Sequence, residues 1–393
     1  MGAEKTLTLE GKKAFDEAEL LIGAKRMTDA VQRPGQMVLH EYRSDKIVEY
    51  IKTHPQYRTV AIALSGDVGF YSGARKLIDL LDGDVQVICG ISSVVYFMAK
   101  IGLSWDDARI VSAHGRDCNL IALIRHNPKV FSILGTEDGV ARLASRLVAY
   151  GMGDVTLYVG ENLSYENEKI FHASAAELTE YRGDALSVVT ACNEKAVPLP
   201  AVHGICDEEF LRGKAPMTKE EVRTVSLSKL RLQEDSVCYD VGAGTGSVSV
   251  EMALRAWKGQ VYAIEKKEDA LALLKENRRK FATDNLEIVP GTAPEAMVEL
   301  PVPTHAFIGG SSGNMNEIIR LLLDKNPKVR IVINCITLET VTEAMNAIRD
   351  FSLTDVDIVQ LSAARSKSIG RYHMMMGENP IYIISCSGRG EEI

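Results

Sequence analysis

A glycine-rich turn, Asp240-Val-Gly-Ala-Gly-Thr-Gly-Ser247, constrains the fold of this chain more than any other stretch. It follows an apolar run, Val237 to Val241, and precedes an amphipathic segment at residues 248–257. A buried strand that ends in a glycine turn and leads into a helix is typical of the carboxyl edge of open α/β sheets, where ligands bind. The glycines allow backbone torsions that other residues avoid, and they let a ligand approach the main chain.

Spacing and charge indicate which ligand this turn would bind. A dinucleotide fingerprint, G-x-G-x-x-G, would need a third glycine where the chain has Ser247. Glu265 ends the next predicted strand, where its carboxylate can accept hydrogen bonds from both ribose hydroxyls. The turn has no basic residue for a phosphate, and Asp240 would repel one.

A cofactor with a ribose and no phosphate fits this pattern, and we predict S-adenosylmethionine. The residues predicted to bind it at this turn are Asp240, Gly242, Gly244, Gly246 and Glu265. A tight turn without a ligand remains the alternative for the glycines alone.

Composition limits the number of domains and the classes of partner. At 393 residues the chain is long for one core, so we expect at least two domains. The net charge of −8 argues against sequence-independent binding to a nucleic-acid backbone. Seven cysteines without a C-x-x-C pair indicate neither a disulfide framework nor a zinc site, so no metal is predicted.

The sequence also lacks the patterns of secreted and membrane proteins. The N-terminal segment carries charged residues from Glu4 to Glu17, which excludes a secretory signal. The most apolar stretch, Val85 to Leu103, is interrupted by polar residues and glycine, whereas a membrane span needs about 20 mostly apolar residues. We expect a cytoplasmic protein without a membrane segment.

Alternating apolar runs and helical patterns predict an α/β protein. In the first half, strands are predicted at 20–22, 59–64, 85–89, 109–113 and 130–134, followed by an antiparallel-leaning group at 155–159, 169–173 and 186–191. In the second half, seven strands are predicted at 237–241, 261–265, 286–289, 305–308, 330–334, about 355–361 and 381–386. The last two have no helix between them, which favours one antiparallel strand near an edge. The predicted domains are residues 1–200 and 217–393, joined by a breaker-rich linker at 201–216.

The second half resembles class I methyltransferases. Within that class it is similar to the decarboxylating C-methylases of the cobalamin pathway, on Met217-Thr-Lys-Glu-Glu-Val-Arg223, Ser226-Leu-Ser-Lys-Leu230, the glycine turn, Val261-Tyr-Ala-Ile-Glu265 and Phe307-Ile-Gly-Gly310. This resemblance implies a seven-stranded, Rossmann-like domain.

The first half resembles the tetrapyrrole methylase family, which implies a two-lobed domain. The matching pieces are Leu64-Ser-Gly-Asp-Val-Gly-Phe70, Cys89-Gly-Ile-Ser-Ser93, Ala113-His-Gly-Arg116 and Gly160-Glu-Asn-Leu163. In that family a strand and a glycine-proline-glycine loop precede the segment matching Thr6 to Leu9, and here Gly2 alone remains of the loop. We therefore expect the first strand to be missing, through a cut or misassigned start rather than a natural loss.

The two halves in this order resemble the bifunctional methyltransferases of cobalamin biosynthesis. The resemblance implies two S-adenosylmethionine sites, methylation of a precorrin-type tetrapyrrole at carbons 5 and 15, removal of the ring C acetate carboxyl, and a homo-oligomer. Two alternatives stay open. The first half could be a ligand-binding or scaffolding module beside one active methyltransferase, or the substrate could be something other than a tetrapyrrole.

The resemblance also assigns further site residues. For the cofactor it implies Thr218, Thr292 and Ala293 in the second half, and Gly66, Asp67, Phe70, Ile91, Glu161, Asn162 and Leu163 in the first. Thr218 has a structural alternative, because Thr218 and Glu221 match a capping box at a helix start. Helix capping and a plain strand-to-helix turn are the corresponding alternatives in the first half.

Substrate contacts are expected where flexible or basic residues follow strands. They are Gly309, Gly310 and Asn334 at predicted strand tips, Arg365, Lys367 and Arg371 in a loop between the last strands, and His114 and Arg116 in the first half. A solvated charged face is the alternative for the three cations, and a surface turn is the alternative for His114 and Arg116. No catalytic dyad is predicted, because the bridge carbons of a reduced tetrapyrrole are already nucleophilic.

Overall fold

The computed structural model describes residues 2–81, 83–113, 119–198 and 204–389. These residues form two compact units, one from the described parts of 1–116 and 127–197, the other from the described parts of 117–126 and 198–393. The segment 119–126 therefore groups with the second unit, which the sequence did not suggest. The domain boundaries at 200 and 217 stay a prediction. Within the described residues, no helix combines the length and apolarity that crossing a membrane requires.

Up to residue 197, short strands alternate with helices of one to three turns. In chain order they are α1 (Leu9–Glu17), β1 (Leu20–Gly23), α2 (Lys25–Val31), β2 (Met37–His40), α3 (Ser44–Thr53), β3 (Val60–Ala63), α4 (Ala74–Leu80), α5 (Ser93–Ile101), β4 (Arg109–Ser112), α6 (Leu120–His126, grouped with the second unit), β5 (Lys129–Ile133), α7 (Gly139–Ala149), β6 (Thr156–Glu161), β7 (Lys169–Ser174) and β8 (Ser187–Cys192).

The first unit has two sheets. The parallel sheet has the order β2-β1-β3, with all four β1 residues buried, and the second sheet has the order β4-β5-β8-β6-β7. In the second sheet only β4 and β5 pair in parallel, so the antiparallel group predicted after residue 155 is confirmed. Sequence patterns missed β2, whose residues are all at least partly exposed and lack a buried apolar run.

The strand predicted at residues 85–89 is wrong. The structure has no regular element there, and Val85 and Val87 are 38% and 50% exposed. An apolar run forms a strand only when a neighbouring strand takes up its backbone hydrogen bonds, and β-propensity alone does not supply one.

The second unit continues the alternation with longer elements. They are α8 (Glu220–Leu230), β9 (Val237–Val241), α9 (Ser247–Arg255), β10 (Gln260–Glu265), α10 (Glu268–Lys280), β11 (Leu286–Pro290), β12 (His305–Ile308), α11 (Met315–Lys325), β13 (Arg330–Cys335), α12 (Leu338–Asp350), β14 (Thr354–Leu361), β15 (Ala364–Ile369), β16 (Tyr372–Gly377) and β17 (Ile381–Ser387).

Seven of these strands form one sheet in the order β11-β10-β9-β12-β13-β17-β14. The five strands from β11 to β13 are parallel, and β17 lies antiparallel between β13 and the edge strand β14. The seven predicted strands and the antiparallel strand near an edge are confirmed. Helices pack on both faces, which explains why the central strands are apolar on both sides.

The basic loop predicted between the last two strands is instead a β-hairpin. Strands β15 and β16 pair in antiparallel register from Ala364–Gly377 to Ile369–Tyr372. The stretch Arg365-Ser-Lys-Ser-Ile369 has no alternation of buried apolar and exposed polar residues, so its sequence did not predict a strand.

A buried cation organises the segment that leads into the second sheet. Arg223 on α8 is fully buried and forms ion pairs with Glu251 and with Asp207, whose Oδ1 lies 3.2 Å from its Nη1. It also donates to the carbonyl oxygens of Ile205 and Thr218, and its guanidinium lies 4.7 Å from the Phe210 ring centroid. This one side chain therefore holds the segment 205–218 against α8 and α9.

The capping box predicted from Thr218 and Glu221 is wrong. The helix begins at Glu220, with Lys219 rather than Thr218 as the N-cap and no side-chain cap. Glu221 instead accepts hydrogen bonds from Arg365, and the Thr218 carbonyl accepts one from Arg223. Two charged hydrogen bonds to a tertiary partner have displaced a local cap.

We expect Arg223→Met to destabilise the second unit by about 3–5 kcal/mol, because Asp207 and Glu251 would be left buried without their partner. The measurement is urea unfolding followed by Trp257 fluorescence with Trp105, the other tryptophan, replaced by phenylalanine. Arg212→Met is the control, because Arg212 pairs with Glu208 on the surface and should contribute less than about 1 kcal/mol. Equal effects of the two substitutions would contradict the role given to Arg223.

Candidate cofactor-binding sites

The glycine turn of the second unit lies where parallel strands end. Gly242, Gly244 and Gly246 have φ values of +77°, +55° and +78°, a region that disfavours L side chains. A Cβ atom would lie 2.9 Å from the Gly310 oxygen at Gly242 and 2.8 Å from the Pro216 oxygen at Gly244. Neighbouring backbone therefore approaches this turn too closely for any side chain, and the requirement for glycine is geometric.

Glu265 connects the glycine turn to the loop after β10. Its Oε2 accepts from the Gly244 N–H at 2.8 Å, and its Oε1 accepts from the N–H groups of Lys266 and Lys267 at 2.8 and 2.9 Å. A carboxylate has about four acceptor positions. Three are taken by backbone, so binding both hydroxyls of a ribose requires exchange of at least one of these bonds.

Asp240 is buried at the end of β9 and does not face solvent. Its Oδ2 accepts from the Ser249 hydroxyl, and its Oδ1 has no hydrogen-bond partner among the described residues. Burial raises the pKa of this carboxyl to about 7, against the hydrogen bond from Ser249, and the negative charge of Glu265 contributes to the rise. Asp240 thus connects β9 to α9 through Ser249, and its role toward a cofactor stays a prediction.

A cavity of about 210 Å³ opens at this edge of the sheet. Of the residues predicted for cofactor or substrate, it is lined by Gly242, Gly244, Glu265, Thr292, Ala293, Gly309 and Gly310. Thr218 is not among its lining residues, and Pro216, from the same segment, takes that place beside Gly244. The structure thus brings together the glycine turn, the acidic strand tip and the loops after β11 and β12.

Among the lining residues that sequence analysis did not assign to the site are Lys266, Ser311 and Ser312. Lys266 Nζ donates to Ser312 Oγ at 3.0 Å. The position of Lys266 directly after Glu265 was the sequence feature that could have indicated a lining residue. Spacing alone does not show in which direction its side chain points.

The predicted substrate residues outside the cavity have different environments. Asn334, at the end of β13, accepts a hydrogen bond from Ser226 at 3.0 Å. Arg365 is held by Glu221 at 2.9 Å and Glu220 at 3.4 Å, and these carboxylates, Glu221 first, raise its pKa. Lys367 and Arg371 are exposed on the hairpin. Arg365 therefore ties the hairpin to α8, and the other two cations are the ones open to a ligand.

In the first unit, a cavity of about 110 Å³ is lined by Gly66 and Ile91 together with residues from Gly2 to Gly11. Asp67 connects the loops on its rim, because its Oδ1 accepts from the Gly69 N–H at 2.8 Å and its Oδ2 from the Gly90 N–H at 3.1 Å. A Cβ at Gly90 would lie 2.3 Å from the Gly66 oxygen. The two loops therefore meet through glycine backbone, as in the second unit.

Four other predicted cofactor residues of the first unit do not line this cavity. Leu163 packs in the core with Phe97, and the Phe70 ring lies 6.2 Å from the Phe131 ring. Glu161 is 2% exposed and accepts from the Tyr181 hydroxyl at 3.1 Å, and the Asn162 amide donates to Asp184 at 2.6 Å. Their contact with a cofactor stays a prediction. His114 and Arg116 lie outside the described residues.

Two family models match the chain, one to each half. Residues 209–387 match the model described as "Precorrin methyltransferase domain", and residues 1–179 match "Tetrapyrrole (Corrin/Porphyrin) Methylases". A Pyrobaculum calidifontis protein named "Probable cobalt-precorrin-6B C(15)-methyltransferase (decarboxylating)" is 44% identical over 188 residues, which are 47% of this chain and 96% of the relative.

Two further similarities were found. A Salmonella typhimurium protein named "Cobalt-precorrin-6B C(15)-methyltransferase (decarboxylating)" is 41% identical over 46% of this chain and 94% of its own length. A crystal structure described as a Precorrin-6y C5,15-methyltransferase from Geobacter metallireducens is 39% identical over 47% of this chain and 97% of that chain, with a TM-score of 0.45.

The seven-stranded sheet of the second unit, with a glycine turn and an acidic residue at adjacent strand ends, defines the class I methyltransferase fold. The first half carries the tetrapyrrole methylase type of domain. The chain belongs to the precorrin methyltransferase family.

We expect the stability of the wild-type chain to fall, relative to Asp240→Asn, as pH rises from about 4 to about 7. Below this interval the carboxyl is protonated in both states. Within it the carboxyl loses its proton in the unfolded chain and keeps it in the folded chain. The free energy of unfolding therefore falls by roughly 1.4 kcal/mol per pH unit. Asp240→Asn should therefore gain about 1–3 kcal/mol relative to wild type between pH 5 and pH 8.

Urea unfolding at the two pH values, followed by Trp257 fluorescence, measures this difference. Asp235→Asn, which changes an exposed carboxylate just before the same strand, should shift stability equally at both. A pH-independent effect of Asp240→Asn would contradict protonation of the buried carboxyl.

Proposed function

We propose that this chain methylates a precorrin-type tetrapyrrole at carbons 5 and 15 and removes the carboxyl of the ring C acetate, using S-adenosylmethionine in two separate sites. The observation that carries the proposal is the presence of two methylase family matches on one chain, each with a glycine-lined cavity. The relatives' names supply carbon 15 and the decarboxylation for the second half.

The residues of the second cavity fit S-adenosylmethionine. Glu265 offers a carboxylate acceptor for the hydroxyls of a ribose. Gly242 and Gly244 present backbone without side chains, so a nucleoside can approach the carboxyl edge of the sheet closely. The loop at Thr292 and Ala293 would lie on the adenine side. A phosphate is disfavoured at the turn because the Glu265 carboxylate lies there and accepts a hydrogen bond from the Gly244 N–H.

When bound, S-adenosylmethionine supplies a methyl group activated by its sulfonium. The protein has to hold a substrate carbon in line with that methyl at about 3–3.5 Å. Gly309 and Gly310 have no side chains to obstruct a large macrocycle that lies against the cavity. Orientation is therefore the main contribution of the second unit, and the described residues contain no cluster of side chains that could hold a metal.

Decarboxylation requires that one acetate lose its hydration while the other carboxylates stay bound. Lys367 and Arg371 on the hairpin are the exposed cations available to bind these other carboxylates. Arg365, fixed by Glu220 and Glu221, sets the hairpin in place for that contact. The acetate to be lost would lie near the glycine loop after β12. Carbon dioxide leaves, the electron pair of the broken C–C bond passes into the macrocycle, and a proton from solvent completes the methyl group that remains.

The remaining properties follow from the same proposal. We propose a homo-oligomer, because the hairpin exposes Tyr372, Met374, Met375 and Met376 at 46–67% of their surface. A cytoplasmic location is supported by the described cysteines, all of which are free thiols. Neither nucleic acid nor membrane is proposed as a partner, given the net charge of −8.

Gly244→Asp should abolish carbon-15 methylation and decarboxylation while carbon-5 methylation continues. The new side chain would meet the Pro216 oxygen and add a charge beside Glu265. Gly90→Asp is the reciprocal variant, because it would separate the two loops of the first cavity and should abolish methylation at carbon 5 alone. Mass spectrometry with fragmentation of the products, together with unfolding curves for both variants, checks this.

The outcomes discriminate the alternatives. Retention of both methylations in Gly90→Asp would identify the first unit as a ligand-binding module. Retention of carbon-15 chemistry in Gly244→Asp would show that the second cavity does not hold the cofactor. A wild-type chain that turns over no tetrapyrrole while binding S-adenosylmethionine would indicate another substrate.

Charge reversal of Lys367 and Arg371 should raise the KM for the tetrapyrrole roughly tenfold, with cofactor affinity unchanged. Two attractive contacts with carboxylates become repulsive, and the effect should shrink at high salt because both side chains are exposed. Steady-state kinetics at two ionic strengths measures it. Lys275→Glu, on the exposed side of α10, is the control and should leave KM unchanged. An unaltered KM in the double variant would remove the hairpin cations from the substrate site.

A further inference from the structure

A side-chain bridge spans the second cavity. The Lys266 ammonium, just after β10, donates to the Ser312 hydroxyl in the loop after β12 at 3.0 Å, and both residues line the cavity. In the sheet, β9 lies between β10 and β12. The bridge therefore connects the two loops that flank the glycine turn.

Both ends of the bridge are otherwise constrained in different ways. The backbone N–H of Lys266 donates to the Glu265 carboxylate at 2.8 Å, which fixes the backbone from which the lysine side chain extends. Ser312 has a φ of +53° and precedes Gly313, and a non-glycine residue held at such a torsion costs about 1–3 kcal/mol. Such a conformation persists when contacts support it, and the Lys266 hydrogen bond is a side-chain contact that reaches Ser312 from outside its own loop.

We propose that Lys266 is a positioning residue that holds the loop 309–313 over the cavity and thereby slows escape of the bound cofactor. This inference rests on the proposed function of the cavity as an S-adenosylmethionine site. The acceptor is a neutral hydroxyl, and Lys266 is exposed, so the bond opens at low cost for entry and release. The bridge is thus a reversible closure that acts on the loop beside the reacting methyl.

The first measurement needs no ligand. Hydrogen–deuterium exchange of the peptide covering residues 309–314 should be faster in Lys266→Met and in Ser312→Gly than in the wild-type chain. Glycine is chosen at 312 because it removes the hydroxyl while relieving the positive φ, so added backbone strain cannot explain the result. Unchanged exchange in both variants would overturn the proposal.

The second measurement is equilibrium dialysis of labelled S-adenosylmethionine with the full chain carrying Gly90→Asp, which isolates the second site. Lys266→Met and Ser312→Gly should each raise Kd roughly three- to tenfold, as expected for loss of one hydrogen bond. The double variant should bind no more weakly than either single variant, because both remove the same contact.

Two further variants distinguish loss of the Lys266–Ser312 hydrogen bond from loss of a positive charge. Lys266→Arg keeps donors at this position and should restore most of the affinity, and Lys275→Met removes an exposed lysine elsewhere on the surface and should change nothing. Weaker binding in Lys266→Met with parental binding in Ser312→Gly would overturn the bridge in favour of a charge effect. Failure of the parent chain to bind the cofactor defeats the proposed function and the cofactor-retention claim together, while the exchange measurement still decides whether the bridge orders the loop.

Discussion

The second unit depends on a repeated backbone contact at the carboxyl edge of its parallel sheet. The Gly242 N–H donates to the Ile264 carbonyl of β10, the Gly309 N–H to the Val241 carbonyl of β9, and the Gly291 N–H to the Glu265 carbonyl of β10. Each loop is thus fixed to the neighbouring strand at the residue where it leaves its own. At Gly242 a Cβ would lie 2.9 Å from the Gly310 oxygen, so glycine is required where the loops after β9 and β12 approach most closely.

Charged side chains then determine which segments reach this edge. Buried Arg223 holds the segment ending at Thr218 and brings Pro216 against Gly244, while Arg365 fixes the hairpin to the same helix through Glu220 and Glu221. A buried ion pair of this kind contributes specificity of position more than net stability, since its desolvation cost is large. Here Arg223 positions part of the lining of the proposed cofactor cavity, and Arg365 positions the hairpin proposed to bind the substrate.

In both units a carboxylate holds the loops beside the cavity, although the two units have different sheets. In the first unit, Asp67 accepts hydrogen bonds from the backbone N–H groups of Gly69 and Gly90. In the second unit, Glu265 accepts them from Gly244, Lys266 and Lys267. In both cases a carboxylate takes up backbone donors of glycine-containing loops beside the cavity. Two methylase-type domains in one chain are the basis for proposing consecutive methylations of one macrocycle.

The sequence by itself determined the local elements that have a strong periodic or steric signature. The seven strands of the second sheet, the glycine turn and Glu265 were predictable, because buried parallel strands are continuous apolar runs and positive φ selects glycine. Tertiary structure decided the rest. The strand expected at 85–89 has no partner strand, the basic loop is a hairpin, and Arg365 pairs with Glu221, which abolishes the expected capping box. These outcomes depend on partners distant in sequence, and neither composition nor spacing specifies such partners.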